Sequence, residues 1–458
     1  MADGGRVRDR RLLGMDALAA FLAAADASPL VSLHSLLVKV RGETKVEAYW
    51  TPYVASDRTL VYSASKTVAA TAVGLAVGEG LFGLDDRIVD LLPESVPDGV
   101  DDRTAELTVH HILSMSTGHD ADTLDAVRAA PDGDGARALL SIPPQTPVGS
   151  RHVYNNGASW LLGELVRRRT GGSLMAFLRP RLFEPLGIAP AWEVDRLGRE
   201  WGFSGCRLTT RELSAIGELY LNDGVHDGRR VLPEGWVAAA STMHIDTRFE
   251  ENPDWALGYG YQVWGGREGY RLDGAYGQFS FVLPEPEATI TLTSGGIEGG
   301  KAVLELVFEH LVPALAEPWA SPGELALPMP TDAGASGPWS AAVVPPRPVL
   351  APGSVQGCVP EVTDARASRD GDRWTLALTW DGVPLSLAGG PGWTRQLVGP
   401  DNVPVALAMG TEGSDAVAHL VFTDTPHVLV VRLGARTGVA WLTSPLHGPA
   451  LRDLRTWA

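Results

Sequence analysis

The chain is short of lysine. Its 458 residues include four, Lys39, Lys45, Lys66 and Lys301, so arginine supplies nearly all of the positive charge. Two cysteines, Cys206 and Cys358, are too few for a disulfide framework. No run of about 18 apolar residues exists, so no membrane span is expected. The opening MADGGRVRDRRLLGMDALAAFLAAADASP has an apolar part broken by Asp16 and Asp26. It reads as an amphipathic first helix and not as a secretory signal, so a cytoplasmic location is expected. A net charge of −17 speaks against nucleic acid and against anionic membrane surfaces as partners. No Cys/His spacing suggests zinc, and the adjacent His110 and His111 point to different faces of a helix. The glycine clusters GGPGWT and GGIEGG lack the strand–loop–helix order of a phosphate loop. No metal and no cofactor is expected. With 45% apolar and 20% charged residues, the chain has a globular composition and the length for two or three domains.

What is present is Ser63-Ala64-Ser65-Lys66, where a helical run, SKTVAATAVGLAVGE, begins. Of the four lysines, Lys66 alone has a serine three positions earlier. That spacing puts both side chains on one helix face, about 5–6 Å apart at Cβ. A serine hydroxyl is a weak nucleophile until a neighbouring base takes its proton. A buried amine with a depressed pKa can be that base. Free N–H groups at a helix start favour developing negative charge. The competing reading is a helix-capping serine followed by a solvated lysine. The scarcity of lysine and the apolar run after Lys66 weigh against it. Downstream, Tyr154-Asn155-Asn156 precedes a second helical run closing at Gly171. A tyrosine beside a lysine can relay a proton, and an asparagine can both donate to and accept from a substrate amide. Taken alone, Tyr154 reads as a half-buried phenol and Asn156 as a helix cap; together with Ser63 and Lys66 they suggest a site.

The segments YSASKTVAATAVGLAVGEGLFGLDDRIVDLLPE, LTVHHILSMSTGHD, GSRHVYNNGASWLLGELV, LFEPLGI and WALGYGYQVW resemble the β-lactamase-like serine hydrolases, most closely the class C and esterase branch. The resemblance spans about residues 15–315. It implies an α/β + α fold, an antiparallel sheet flanked by helices plus a helical lobe, with the site between them. It implies Ser63 as the acylated nucleophile, Lys66 and Tyr154 as the groups that manage its proton, and Asn156 as a substrate-orienting residue. The family carries a third motif, Lys-Thr-Gly or His in place of Lys, on an edge strand. The corresponding stretch here is Asp273-Gly274-Ala275-Tyr276-Gly277-Gln278, in which Gly277 matches the motif glycine and Ala275 stands in place of the cation. Tyr276 is expected to supply a polar tip instead, and the N–H groups of Ser63 and Gln278 to form the oxyanion hole. Trp264-Gly265-Gly266 reads as hairpin turn chemistry. His119 and Asp120, in the STGHD loop, are substrate-contact candidates; a Gly-containing turn with solvated polar residues is the plainer reading.

Helices are expected across 63–120 and 155–222, with Thr209 to Glu212 as a capping box. Lys39 to Trp50 is expected as a strand after VSLHSLLV. Strands are expected again at 257–294, and an amphipathic helix at 301–315. The expected division is a hydrolase domain over 1–316, a Pro/Gly-rich linker over 317–352 and a small antiparallel β domain, barrel or sandwich, over 353–458. In that last domain Trp374, Leu376, Leu378 and Trp380 alternate on one face before the turn signal Asp381-Gly382. The expected activity is hydrolysis of an ester or amide of a small molecule or short peptide through an acyl-enzyme. Acyl transfer or peptide cyclisation (or D-peptidase action), β-lactam hydrolysis and a catalytically silent penicillin-binding-like protein are the alternatives. A homodimer is compatible with the sequence.

Overall fold

The main sheet has two different buried faces, and the alternation of its strands shows why. In Ala288–Ser294, Ile290 and Leu292 point one way and Thr289, Thr291 and Thr293 the other; all five are buried. The computed structural model describes residues 13–295, 300–316, 359, 361–390, 392–434, 438–446 and 451–454. The expected linker, Cys358 and the arginine-rich start lie outside the described residues. The sheet is antiparallel throughout, with strand order Glu43–Tyr49, Leu33–Val40, Ala288–Ser294, Gln278–Leu283, Tyr270–Gly274 and Trp264–Gly265. The Arg41-Gly42 turn, with φ of 52° and 77°, divides the expected 39–50 strand into a hairpin.

The aliphatic face packs on the first helix, Leu13–Ala27, through Leu18 and Phe21. The chain after Gly300 completes that layer with Val303, Leu304, Val307 and Leu311. The helix expected at 301–315 is α over Lys301–Leu306, widens to a π turn over Val307–Leu311 and tightens to 3-10 at Val312–Ala314. The hydroxyl-bearing face receives the Thr210–Leu221 helix, which opens with the expected capping box of Thr209 and Glu212. Small residues let this helix approach closely: a Cβ on Gly217 would stand 2.3 Å from Ser280 Oγ.

The helical lobe surrounds the Ser65–Gly78 helix, whose residues from Ser65 to Ala76 are all buried. Between Gly78 and Asp120 the chain is less helical than expected. Short helices at Ile88–Leu91, Asp102–Ala105 and Val109–Leu113 alternate with turns, and Gly80 and Gly99 adopt left-handed backbone between them. The C-terminal β region has two antiparallel sheets, three strands over 362–389 and five over 394–443. They share one core, built from Trp374, Leu376, Leu378 and Trp380 against Leu407, Leu420, Phe422 and Leu429. On one side the edge strand Val383–Gly389 meets the edge strand Thr394–Val398, and on the other Val362–Asp370 lies against Val428–Leu433, an inner strand of the larger sheet. Asp381 and Gly382, at φ of 49° and 75°, make the expected hairpin turn.

The Ser65–Gly78 helix leaves no room for an added methyl group at Gly74. A Cβ there would lie 2.3 Å from the buried Trp236 indole. Gly74→Ala gains about 0.5–1 kcal/mol of helix propensity but overpacks the core by about 1–3 kcal/mol. Net destabilisation is expected, read as a lowered denaturation midpoint; a midpoint at or above that of the parent chain contradicts the packing account.

Candidate active site

Ser63 lies in the 3-10 turn Tyr62–Ala64, directly before the buried helix. The residue before it, Tyr62, has φ of 46°, a left-handed backbone that bulky residues rarely adopt. Such strain persists where the surroundings hold it, and here Tyr62 is 2% exposed, its hydroxyl sharing a hydrogen bond of 3.1 Å with His427 Nε2. One helical step on, Lys66 is 1% exposed. Its ammonium donates to Ser63 Oγ at 3.0 Å, Asn156 Oδ1 at 2.7 Å and the Phe203 carbonyl at 2.9 Å. Burial lowers its pKa to about 7, while the negative charges of Asp122 and Asp273 work in the opposite direction. Three oriented acceptors thus hold an amine that titrates near neutrality.

Tyr154 comes from the segment before the Asn156–Thr170 helix. The Lys66 Nζ sits 4.8 Å from its ring centroid, and the ring stacks on Trp264 at 6.0 Å. Burial raises the phenol's pKa, and a hydrogen bond with Ser63 partly offsets this. Asn156 reaches Lys66 with Oδ1 and donates from Nδ2 to Asp122 Oδ2 at 2.7 Å. The structure thus brings Ser63, Lys66, Tyr154 and Asn156 together.

Other expected residues sit elsewhere. His119 is 2% exposed, and both ring nitrogens are engaged in its own neighbourhood, with Thr117 Oγ1 and the Ile142 carbonyl, each at 2.9 Å. It supports its loop and has no nitrogen free for substrate. Asp120 is exposed, its backbone N–H donating to Gln145; the carboxylate that reaches the site is Asp122, two residues on. Tyr276 is no substitute for the motif cation: its hydroxyl donates to the Ser444 carbonyl at 2.6 Å, in the C-terminal region. The glycine against the nucleophile segment is Gly274 rather than Gly277. A Cβ on Gly274 would stand 2.2 Å from the Val61 carbonyl, whereas one on Gly277 would meet Ser294 Oγ. Gln278 lies opposite Gly274 in the sheet, fully buried, with its side-chain amide on the Ser294 carbonyl.

Aligned on Gly274, the position of the motif cation falls on Leu272, which is buried and uncharged. Asp273 follows it, a buried carboxyl whose pKa is raised by burial and pulled back by Arg271, 2.9 Å away. Arg271 is held by Asp273 and the Gly265 carbonyl, and Arg267 by Asp254. Neither arginine takes the place of the missing cation. Among the described residues no cluster of three or more His, Cys, Asp or Glu side chains is arranged to hold a metal ion. His110 and His111 face different partners, Tyr261 and Thr108. No described helix is long and apolar enough to cross a membrane.

A serine in a 3-10 turn, a buried lysine and a Tyr-x-Asn segment facing an antiparallel sheet agree with a family comparison: the beta-lactamase family model matches residues 31–302. The chain belongs to the beta-lactamase family. Among curated relatives, penicillin-binding protein 4 of Amycolatopsis lactamdurans is 30% identical over 287 residues, 51% of this chain and 71% of that protein. The 6-aminohexanoate-dimer hydrolase of Paenarthrobacter ureafaciens is 27% identical over 224 residues, 44% of this chain and about half, 55%, of its own length. The solved structure of SurE with D-Leu superposes with a TM-score of 0.53 at 20% identity, covering 93% of this chain and 99% of SurE. That likeness of fold includes the C-terminal β region.

The pKa of Lys66 near 7 fixes a pH dependence. A base acts when neutral, so with Lys66 in that role acylation of Ser63 is expected to rise as pH passes through about 7, level off near pH 8 and fall about tenfold per unit below pH 6. Single-turnover acylation measured from pH 5 to 10 checks this. A rate still climbing at pH 9 would mean that the amine keeps its ordinary pKa.

Proposed function

We propose that the chain is a serine hydrolase that opens an ester or amide through an acyl-enzyme on Ser63. The observation that carries this is the buried Lys66 ammonium, bridging Ser63 Oγ and Asn156 Oδ1 with its pKa lowered to about 7. In this mechanism neutral Lys66 takes the Ser63 proton as Oγ adds to the carbonyl carbon. The tetrahedral oxyanion is met by the backbone N–H groups of Ser63 and Gln278. Tyr154, against both Ser63 and Lys66, returns the proton to the leaving oxygen or nitrogen, and water releases the acyl group by the reverse path. Asn156 acts on the substrate side only with what its contacts to Lys66 and Asp122 leave over. A small-molecule or short-peptide substrate is proposed.

A second reading keeps the acyl-enzyme and gives the acyl group to an amine or alcohol instead of water, with the C-terminal β region, which contacts Tyr62 and Tyr276 next to Ser63, as a wall of the substrate site. Product analysis in the presence of added amines separates transfer from hydrolysis.

A fluorophosphonate should add once, on Ser63, and Ser63→Ala should abolish the adduct. An adduct that persists in the variant removes Ser63 from the mechanism. Since no motif cation is present, carboxylate-bearing β-lactams lose a charge-assisted hydrogen bond of about 1.5–3 kcal/mol, roughly 10–150-fold. p-Nitrophenyl butyrate should therefore exceed nitrocefin in kcat/KM. The opposite order, by a wide margin, supports a β-lactamase instead.

A further inference from the structure

Asp122 lies one step behind the residues that the motifs single out. Its Oδ2 accepts from Asn156 Nδ2 at 2.7 Å, and its Oδ1 accepts from the backbone N–H groups of Gly157 at 3.1 Å and Leu124 at 3.0 Å. These donors are neutral. The opposite end of Asn156 accepts from Lys66, which in turn reaches Ser63. A side-chain amide has one donor end and one acceptor end, whereas a carboxylate only accepts. With Asp122 behind it, Asn156 satisfies both contacts in one orientation, the one that presents Oδ1 to the Lys66 amine. Flipped, it would set oxygen against oxygen on one side and NH2 against ammonium on the other. The two backbone contacts fix the carboxylate where the 122–124 segment meets the start of the Asn156–Thr170 helix.

We propose that Asp122 is a positioning residue which, through Asn156, locks the Lys66 amine against the Ser63 hydroxyl. The inference rests on the reading of Ser63 and Lys66 as nucleophile and base. The charged groups that face Lys66 are Asp122 and the Asp273–Arg271 pair; Ser63, Tyr154, Asn156 and the Phe203 carbonyl are neutral. Asp122 thus acts twice, orienting the amide and placing a negative charge near the amine.

The test is the pH dependence of fluorophosphonate labelling at Ser63 in the full chain. Asp122→Asn should lower the plateau rate roughly tenfold, as the amine loses its fixed orientation. It should also move the midpoint down by about half a pH unit, because an attractive charge has been removed. Asp122→Glu, which keeps the charge, should restore the midpoint. Asp125→Asn, an exposed carboxylate in the following helix, should overlay the parent curve. A midpoint unmoved in Asp122→Asn, whatever the plateau, overturns the proposal. Should that variant not fold, the parent chain in 1 M salt gives the same readout. A Debye length of about 3 Å screens the exposed Asp122 but much less the buried Asp273–Arg271 pair, so the midpoint should again fall. A midpoint insensitive to salt counts against Asp122. No label on Ser63 in the parent chain would instead sink the acyl-enzyme reading, and this inference with it.

Discussion

The site is organised by the burial of one amine. Removing an ammonium from water is costly unless its donors are met, and in an apolar setting the charged form loses ground to the neutral one. Lys66 has an acceptor for each of its three N–H groups, two from side chains and one from the Phe203 carbonyl. Those three bonds define its position. They do not fully offset desolvation, so its pKa comes to rest near 7. The Ala-rich nucleophile helix follows from the same constraint. Small side chains at Ala69, Ala70, Ala72 and Ala76 let the lobe close around the helix, and a lysine at its start is then buried along with it.

The two lobes are joined where this amine sits. The helical lobe supplies Ser63, Lys66, Tyr154 and Asn156; the sheet supplies the strand that ends at Gly274 and presses on the Val61 carbonyl. Gln262 fastens the two from behind. Its carbonyl accepts from Thr67, one residue past Lys66, while its side chain binds Ser159 Oγ and the Leu113 carbonyl. With Gln262 only 3% exposed, this cross-link is shielded from water, where each bond contributes most to position. The start of the Ser65–Gly78 helix is therefore tied through Gln262 to the segment that leads into the Trp264–Gly265 strand.

Much of this was legible in the chain. Ser-x-x-Lys and Tyr-x-Asn are local patterns, and local spacing on a helix start dictates which side chains can meet. The antiparallel sheet and the C-terminal hairpin at Asp381-Gly382 likewise follow from alternation and turn chemistry. What the sequence hides are the choices between near neighbours. Asp120 and Asp122 differ by two residues, and only the fold reveals that the second reaches Asn156. His119 has the composition of a site residue, but its loop consumes both nitrogens. Gly274 and Gly277 both border a turn, and which one needs to be glycine depends on a carbonyl more than two hundred positions away. Tyr276 is a similar case: the partner of its hydroxyl, the Ser444 carbonyl, belongs to a region with no catalytic pattern of its own.

That region bears on the nucleophile from the side opposite the amine. Leu60 donates its N–H to the Asp424 carbonyl, Tyr62 shares a hydrogen bond with His427, and Tyr276 donates to Ser444. Arg395 adds an ion pair with Asp57 just upstream. Together they bracket the turn whose Tyr62 holds left-handed backbone, a conformation worth of order 1–3 kcal/mol of strain that local sequence alone would relax. The hydrogen bonds of Lys66 to Ser63 and Asn156 form one set, and these contacts around Tyr62 form another. The two sets have no residue in common; they meet at the Tyr62–Ala64 turn, where the C-terminal strands hold Tyr62 and Lys66 holds Ser63 Oγ. The position of the Ser63 hydroxyl therefore depends on both, since relaxing the Tyr62 backbone on one side would move the oxygen that Lys66 holds on the other.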